Sequence, residues 1–478
     1  MLEFTGHPLF DVGLATVLAF VKKTDPRDLN DDDLDRVAEY IKENYVVDPL
    51  KSFLNVAFPN SGFTQAAYSK TPEKRIEYAD HVLVTARNSS QPQYGRCVIT
   101  GRPVTEALSS KLPPGRAFRQ HIPLITGENI INFHPNGEPG LPISGLALFM
   151  IQAMPLGSGV VGERLLVVHS DNNRLTMAIA AEFLEENRRN IHRARLEGSK
   201  ELSPAAYRVG TQLVHVLVNV QADMIERGLA GESASITAYH MSNSGQGTAL
   251  DIYHLPLEVT DFIQTALYPQ YRSTWNRLTD RGWQITKGSK AAGPTYNIFY
   301  EDLLRLPHNS WQFIRTYLLR RPRRSRRPGD PTTTYSFTSE ADLISWTFTD
   351  LFLRKVLRMD QVHIETLRNL GDRLAEYVVE ENDRRFFWDF STVRRYPHFR
   401  NVLIKANLRR TKDNSPPLFS FDEFVTVFET ELMNHHWSLA RDLILIRMIE
   451  RLYAAGWIQS NMEDMPVEQE FDTSGEDE

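Results

Sequence analysis

Apolar residues recur at helical spacing over residues 9 to 23 and 29 to 44, and in the second stretch Leu34, Val37, Ala38 and Ile41 form the stripe. The polar run "NDDD" ahead of it suits a helix amino terminus, where carboxylates meet unpaired amides and the positive end of the dipole. "NVAFPNSGFTQ" reads as a loop. From about 80 to 170 the chain is rich in Gly and Pro, with β-like runs "HVLVTA" and "RLLVVHS" and an apolar segment "GLALFMIQAMPLG". Two long helices follow, through "LTMAIAAEFLEENRRNIHRA" and "AAYRVGTQLVHVLVNVQADMIERG", and then strand-like "ASITAYHM" and "LDIYHLPLEV" around a glycine-rich turn. Beyond residue 339 the period is helical almost throughout, and Gly456 stands where a helix carboxyl-terminal cap belongs. The pattern predicts an α+β amino-terminal region over 1–338, an all-α helical bundle over 339–460, and a tail over 461–478.

Composition narrows the class. A chain of 478 residues with 41% apolar and 10% aromatic side chains is ordinary packed protein of two to four domains. The net charge of −6 is unevenly spread: the tail from Asn461 holds eight acids and no base, leaving −6 − (−8) = +2 for the rest. That tail is expected to be disordered and solvating. A single cysteine, Cys97, excludes an internal disulfide and points to a reducing, cytoplasmic setting. Glu3, Asp11 and Gly13 interrupt the apolar amino terminus where a signal peptide needs basic and then unbroken apolar residues, and no stretch has the roughly 20 apolar residues that cross a bilayer.

Catalytic chemistry finds little footing, and no cofactor is expected. The chain has no P-loop, no HExxH and no nucleophile elbow. "SGQGTAL" has two glycines of a dinucleotide fingerprint, but the third is absent and a strand, rather than a phosphate-binding helix, is expected to follow. His435 and His436 are adjacent, so they point to different helix faces and chelate poorly.

Basic residues carry a stronger signal. Seven arginines fall between Arg315 and Arg327, and no carboxylate lies between Leu303 and Gly329. This run, Arg320, Arg321, Arg323, Arg324, Arg326 and Arg327 foremost, is expected to be a mobile basic loop over 315–331 that gains order on phosphates. A second region, 384 to 412, holds nine bases against the single acid Asp389, interleaved with Phe386, Phe387, Trp388, Tyr396 and Phe399. Bases with rings suit single-stranded nucleic acid, whereas a bland bundle would use the rings as core and the bases as a solvated face. So few carboxylates favour phosphate contact for Arg394, Arg395, Arg409 and Arg410, while the rings are expected in the core. Two polar turns, "FPNSGFTQ" and "MSNSGQGTA", set short amides beside glycines, a composition that brings backbone close to a groove and lets amides reach base edges.

In order along residues 4 to 256, "FTGHPLFDVGLATVLAF", "FPNS", "PLITGENIINFHPNGEPGLPISGLALFMIQAMPLG", "LLVVHSDNNRLTMAIAAEFLEENR" and "NSGQGTALDIYHLP" resemble the large subunit of the type I-B CRISPR Cascade interference complex, in its branch with a CxxC…CxxC zinc module. The chain departs from that pattern: Cys97 remains, but Thr100, Ser144 and Ala147 stand at the other three ligand positions. A structural zinc needs four ligands, so a degenerate, metal-free module over about 95–150 is expected, held by Leu141, Leu146, Leu148 and Phe149.

The resemblance implies a non-catalytic subunit of an RNA-guided surveillance complex. It would inspect duplex DNA for a protospacer-adjacent motif while the CRISPR RNA reads the target by base pairing. Partners so implied are the CRISPR RNA, target duplex and displaced strand, the backbone, handle-binding and small subunits, and a helicase-nuclease, with no membrane. The bundle resembles the small subunit, and Met359 stands where an internal translation start for a separate small subunit would lie. Asn60, Ser61 and Gln65, with Asn243, Ser244 and Gln246, are the polar residues placed nearest DNA. A transposon-targeting complex, with transposition proteins as partners, and a standalone single-strand-binding protein are the alternatives.

Overall fold

The computed structural model describes residues 2–85, 87, 95–104, 115–125, 139–202, 205, 207–243, 248–286, 293–324, 329–412, 415–429 and 436–461. It is mixed α+β, and it divides into one unit of Met1–Gln264 with Gly288–Leu304 and another of Thr265–Lys287 with Arg305–Glu478. The boundary therefore does not fall at 338. Residues on the near side of that point pack with the helices beyond it: Phe313 stacks on Phe352 at 5.0 Å, and Arg320 pairs with Glu340.

The first unit is built around helix α1 (Pro8–Val21), whose residues Leu9 to Leu18 are all buried. Helix α2 (Asp31–Asn44) starts at a reciprocal capping box, Asn30 accepting from the Asp33 amide and Asp33 from that of Asn30, as the acidic run led one to expect. Next come the short α3 (Leu50–Leu54), α4 (Pro72–Asp80) and the apolar α5 (Gly145–Ala153). A β-carbon on Gly13 would overlap the Met150 carbonyl, so this glycine lets α1 and α5 cross backbone to backbone.

A four-stranded antiparallel sheet runs in order β1 (Gly159–Val161), β2 (Arg164–Ser170), β3 (Ile236–Ser242), β4 (Ala249–Leu255), with Val167 opposite Tyr239 and Tyr239 opposite Ile252. Leu165 to Val168 are buried on both faces, whereas Leu250 and Ile252 on the edge strand are exposed. Helices α6 (Asn173–Leu196) and α7 (Val209–Glu226) lie between β2 and β3 in the chain. "HVLVTA" is not a strand: His81–Thr85 continues α4 as a π-helical turn with Val82 and Leu83 fully buried, so packing overrides β-branched composition.

Cys97, Thr100, Ser144 and Ala147, the four positions compared with a zinc pattern above, meet. Thr100 Oγ1 lies 3.4 Å from Ser144 Oγ, and the Ala147 amide donates to Ser144 Oγ at 3.3 Å. Burial pushes the Cys97 thiol up, but the Thr100 hydroxyl and the amides of Ser144, Thr100 and Ile99 donate to it and bring it below its ordinary value. Hydrogen bonds thus join Leu148 and Phe149, both fully buried, in holding this module.

The second unit contains α8 (Pro269–Gly282), α9 (Trp346–Lys355), α10 (Gln361–Glu381), α11 (Arg384–Thr392), α12 (Tyr396–Lys412), α13 (Phe421–Phe428), α14 (His436–Ala454) and α15 (Trp457–Asn461). The helical pattern that runs on from residue 340 breaks between α9 and α10, where Arg358 adopts φ +51°. Helix α14 is the spine: Leu443 to Ile446 are fully buried, and Gly456, at φ +72°, ends the helix as expected. No described helix is long and apolar enough to cross a membrane.

Candidate nucleic-acid interface

In the first unit the start of the second polar turn meets the chain just ahead of the first. The Asn243 amide donates to the Val56 carbonyl at 2.7 Å, joining the end of β3 to the turn that follows α3. Arg119 Nη2 reaches the Asn243 carbonyl at 3.4 Å. Asn60 sits at φ +65° and is exposed, and so is Gln65, which precedes the short helix Ala66–Ser69.

Ser61 differs from the expectation. It is fully buried, its hydroxyl donating to Tyr78 Oη at 3.3 Å and accepting from the Phe63 amide, while its carbonyl accepts from the amides of Thr64 and Gln65. It shapes the turn from within. Asn243 is likewise only 1% exposed, and neither its Oδ1 nor its Nδ2 has a hydrogen-bond partner among the described residues. Ser244 and Gln246 lie outside the described residues.

Beneath the turn lies an aromatic support. The Tyr78 ring stacks on His121 at 6.2 Å and packs so closely on Gly62 that a β-carbon there would overlap it. Burial pushes the Tyr78 phenol up to about 12, and burial with His81 nearby lowers His121 to about 3, so at neutral pH both rings are uncharged. The neutral His121 Nδ1 accepts from the Phe118 amide at 3.2 Å, and its carbonyl accepts from Gln152.

In the second unit the arginine run is largely structural. Arg320 is fully buried: its Nε donates to Glu340 Oε2 at 3.0 Å, its Nη2 lies 2.9 Å from the same oxygen, and its guanidinium lies 3.5 Å from the centre of the Tyr335 ring. Arg321 donates to the Ser391 carbonyl, and Arg323 pairs with Asp330 at 2.9 Å. The run thus departs from the expected solvent-facing basic loop over residues 315 to 324, where Asp442, Glu340 and Asp330 meet Arg315, Arg320 and Arg323. Arg324 is exposed, whereas Arg326 and Arg327 lie outside the described residues.

A buried carboxylate, Asp442, gathers further arginines. Burial alone would raise it, but Arg441, Arg321 and Arg315 hold it below the ordinary carboxylate range. Arg441 also donates to the Val393 carbonyl, so these guanidinia cover the carboxyl end of α11 as well.

Phe386, Phe387 and Phe399 are buried, as expected of core rings, while Trp388 and Tyr396 are half-buried. Arg394 and Arg395 are exposed between α11 and α12. Arg409, 57% exposed, pairs with Asp383, and Arg410, 18% exposed, pairs with Glu380 at 2.6 Å. The exposed face of α12 consists of Asn401, Ile404, Lys405, Leu408 and Lys412, flanked by Arg400 and Arg409. Ile404 and Leu408 are 40% and 56% exposed; sequence reasoning missed them because apolar residues at helical spacing read as core.

Among the described residues no group of three or more His, Cys, Asp or Glu could hold a metal ion. Compared with protein-family models, with curated proteins and with solved structures, the chain matches none.

Proposed function

We propose that this chain is the non-catalytic large subunit of an RNA-guided DNA surveillance complex of the type I-B Cascade kind, and that its first unit inspects duplex DNA for a short flanking motif. The observation that carries the reading is the bond from the Asn243 amide to the Val56 carbonyl, which brings the start of one polar turn to the chain just ahead of the other, far apart in sequence. Asn60 and Gln65 face outward there, and Arg119 lies behind. Short amides on a turn backed by a cation suit a groove edge, where the amide reads bases and the cation fixes register on phosphate.

The second unit contributes the phosphate contacts, through Arg394, Arg395, Arg400, Lys405 and Lys412 rather than through Arg320 or Arg323. Its helices serve the displaced or target strand, as the small subunit of such complexes does. Met359, half-buried just before the Asp360 cap of α10, is proposed as the start of a separately made small subunit. A product of about 120 residues that persists in a Met359→Leu gene removes that part.

The test is binding of the chain, purified with its operon partners, to duplexes with a randomised flank. A selected flank sequence is the expected outcome, and uniform binding to every flank overturns the recognition role. Replacing Arg394 and Arg395 by Ser should weaken binding at every flank alike and lower the log–log salt slope by about 1 for each phosphate that is no longer neutralised.

A further inference from the structure

Phosphate contact accounts for the cations of the α12 face but not for Ile404 and Leu408, which stand exposed among them. A face of this mixed kind fits a ligand that is at once acidic and apolar. The chain itself carries such a ligand: residues 462 to 478, which lie outside the described residues, hold eight carboxylates and no base, with Met462, Met465, Val467 and Phe471 set among the acids. Charge is complementary as well: the tail carries −8, and the face presents Lys405 and Lys412 with Arg400 and Arg409 at its flanks.

Its point of departure is close to that face. Helix α15 is pinned where Trp457 packs against Phe387 at 5.5 Å and donates from Nε1 to Asn382 Oδ1 at 2.9 Å. The neighbouring Asp383 pairs with Arg409 of α12. From Asn461, the 17 residues 462 to 478 span up to about 56 Å when extended. The row from Lys412 back to Asn401 is only about 17 Å long.

We propose that the acidic segment 462 to 478 docks on the exposed face of α12, its apolar residues on Ile404 and Leu408 and its carboxylates on Lys405, Lys412 and the flanking arginines, and competes there with nucleic acid. The competition rests on the reading of this face as phosphate-binding; the docking does not. Such a segment raises the threshold for non-specific strands, because it is present at high effective concentration and only a polyanion of greater charge density displaces it.

Two measurements on the full chain test this. Carbodiimide coupling of the nucleic-acid-free monomer should join Lys405 or Lys412 to carboxylates of the segment, as read by peptide mass spectrometry, and Ile404→Ser with Leu408→Ser should reduce that coupling. In parallel, the full chain bearing E463Q, D464N, E468Q, E470Q and D472N should bind a labelled oligothymidine of about 20 nucleotides at least about tenfold more tightly than the parent at low salt, with the gain vanishing as salt rises. Absence of coupling to Lys405 and Lys412, or coupling only to lysines elsewhere, overturns the docking. Equal oligothymidine affinities of parent and variant overturn the competition. If coupling forms and neither chain binds oligothymidine, the docking stands and the phosphate-binding reading of α12 falls.

Discussion

Single side chains in this protein reverse what their type predicts. Arg320 belongs to the most cationic stretch of the chain and is fully buried, its charge met by Glu340, which also accepts from Arg281. Glu340→Gln should therefore cost about 3–5 kcal/mol, because it strands two cations, one of them buried. Loss of protection from hydrogen exchange around residues 335 to 345 measures it. Asn243 reverses the other way. Its carboxamide is buried and unpartnered among the described residues, so Asn243→Leu should leave stability unchanged or raise it by about 1 kcal/mol while selection among flanks falls. Unaltered flank selection would make the amide irrelevant to recognition. His121 sets a pH dependence. Its folded value, about 3, lies below that of an unfolded histidine, about 6.5, so below pH 6.5 the unfolded chain takes up a proton that the folded one refuses. Stability of the first unit should thus be full above about pH 6.5 and fall by up to about 4 kcal/mol as pH drops toward 3, more steeply than in His121→Gln. Exchange rates of residues 115 to 125 at stepped pH give the slope.

Elements whose periodicity is uninterrupted could be read directly from the chain. The stripe of Leu34, Val37, Ala38 and Ile41 and the acidic cap before it place α2 almost to the residue, and the apolar α1 and the bundle helices follow the same logic. "HVLVTA" failed because β-branched residues join a helix when the helix ahead of them continues and the core behind them is apolar. The polar turns were legible as turns, but not their meeting, which depends on the ends of β3 and α3 converging across nearly 190 residues. Nor could spacing tell Ser61, which looks inward, from Asn60, which looks out. Hydrogen bonds hold Thr100, Ser144 and Ala147 together beside Cys97. Thr100→Cys, Ser144→Cys and Ala147→Cys together should accordingly bind about one zinc per chain, since four thiolates are then offered at converging positions. Elemental analysis after dialysis checks this, with the parent chain as the blank.

At the scale of the whole molecule, the second unit uses chain from both sides of the change to all-helical sequence. Glu340 draws on Arg281 and Arg320, and the Trp346 amide donates to Glu450 at 2.8 Å, so α8, the arginine run and α9 belong with the bundle. A fragment that begins at Met359 lacks α9, whose Phe348, Leu351, Phe352 and Leu353 are all buried. Made alone, it should self-associate and bind a hydrophobic dye, and adding residues 305 to 358 should suppress both. Gel filtration and dye fluorescence compare the two, and a monomeric, dye-silent short fragment would show that α9 is dispensable.

Cys97 is the chain's one thiol and is 2% exposed. It makes the first unit self-reporting: a thiol-directed reagent can label this protein at one place only, and only when the 95–104 turn opens. The labelling rate in dilute denaturant then reads the free energy of that opening without any added probe, and its change on adding a flanked duplex would register whether the polar corner and the turn around Cys97 move as one.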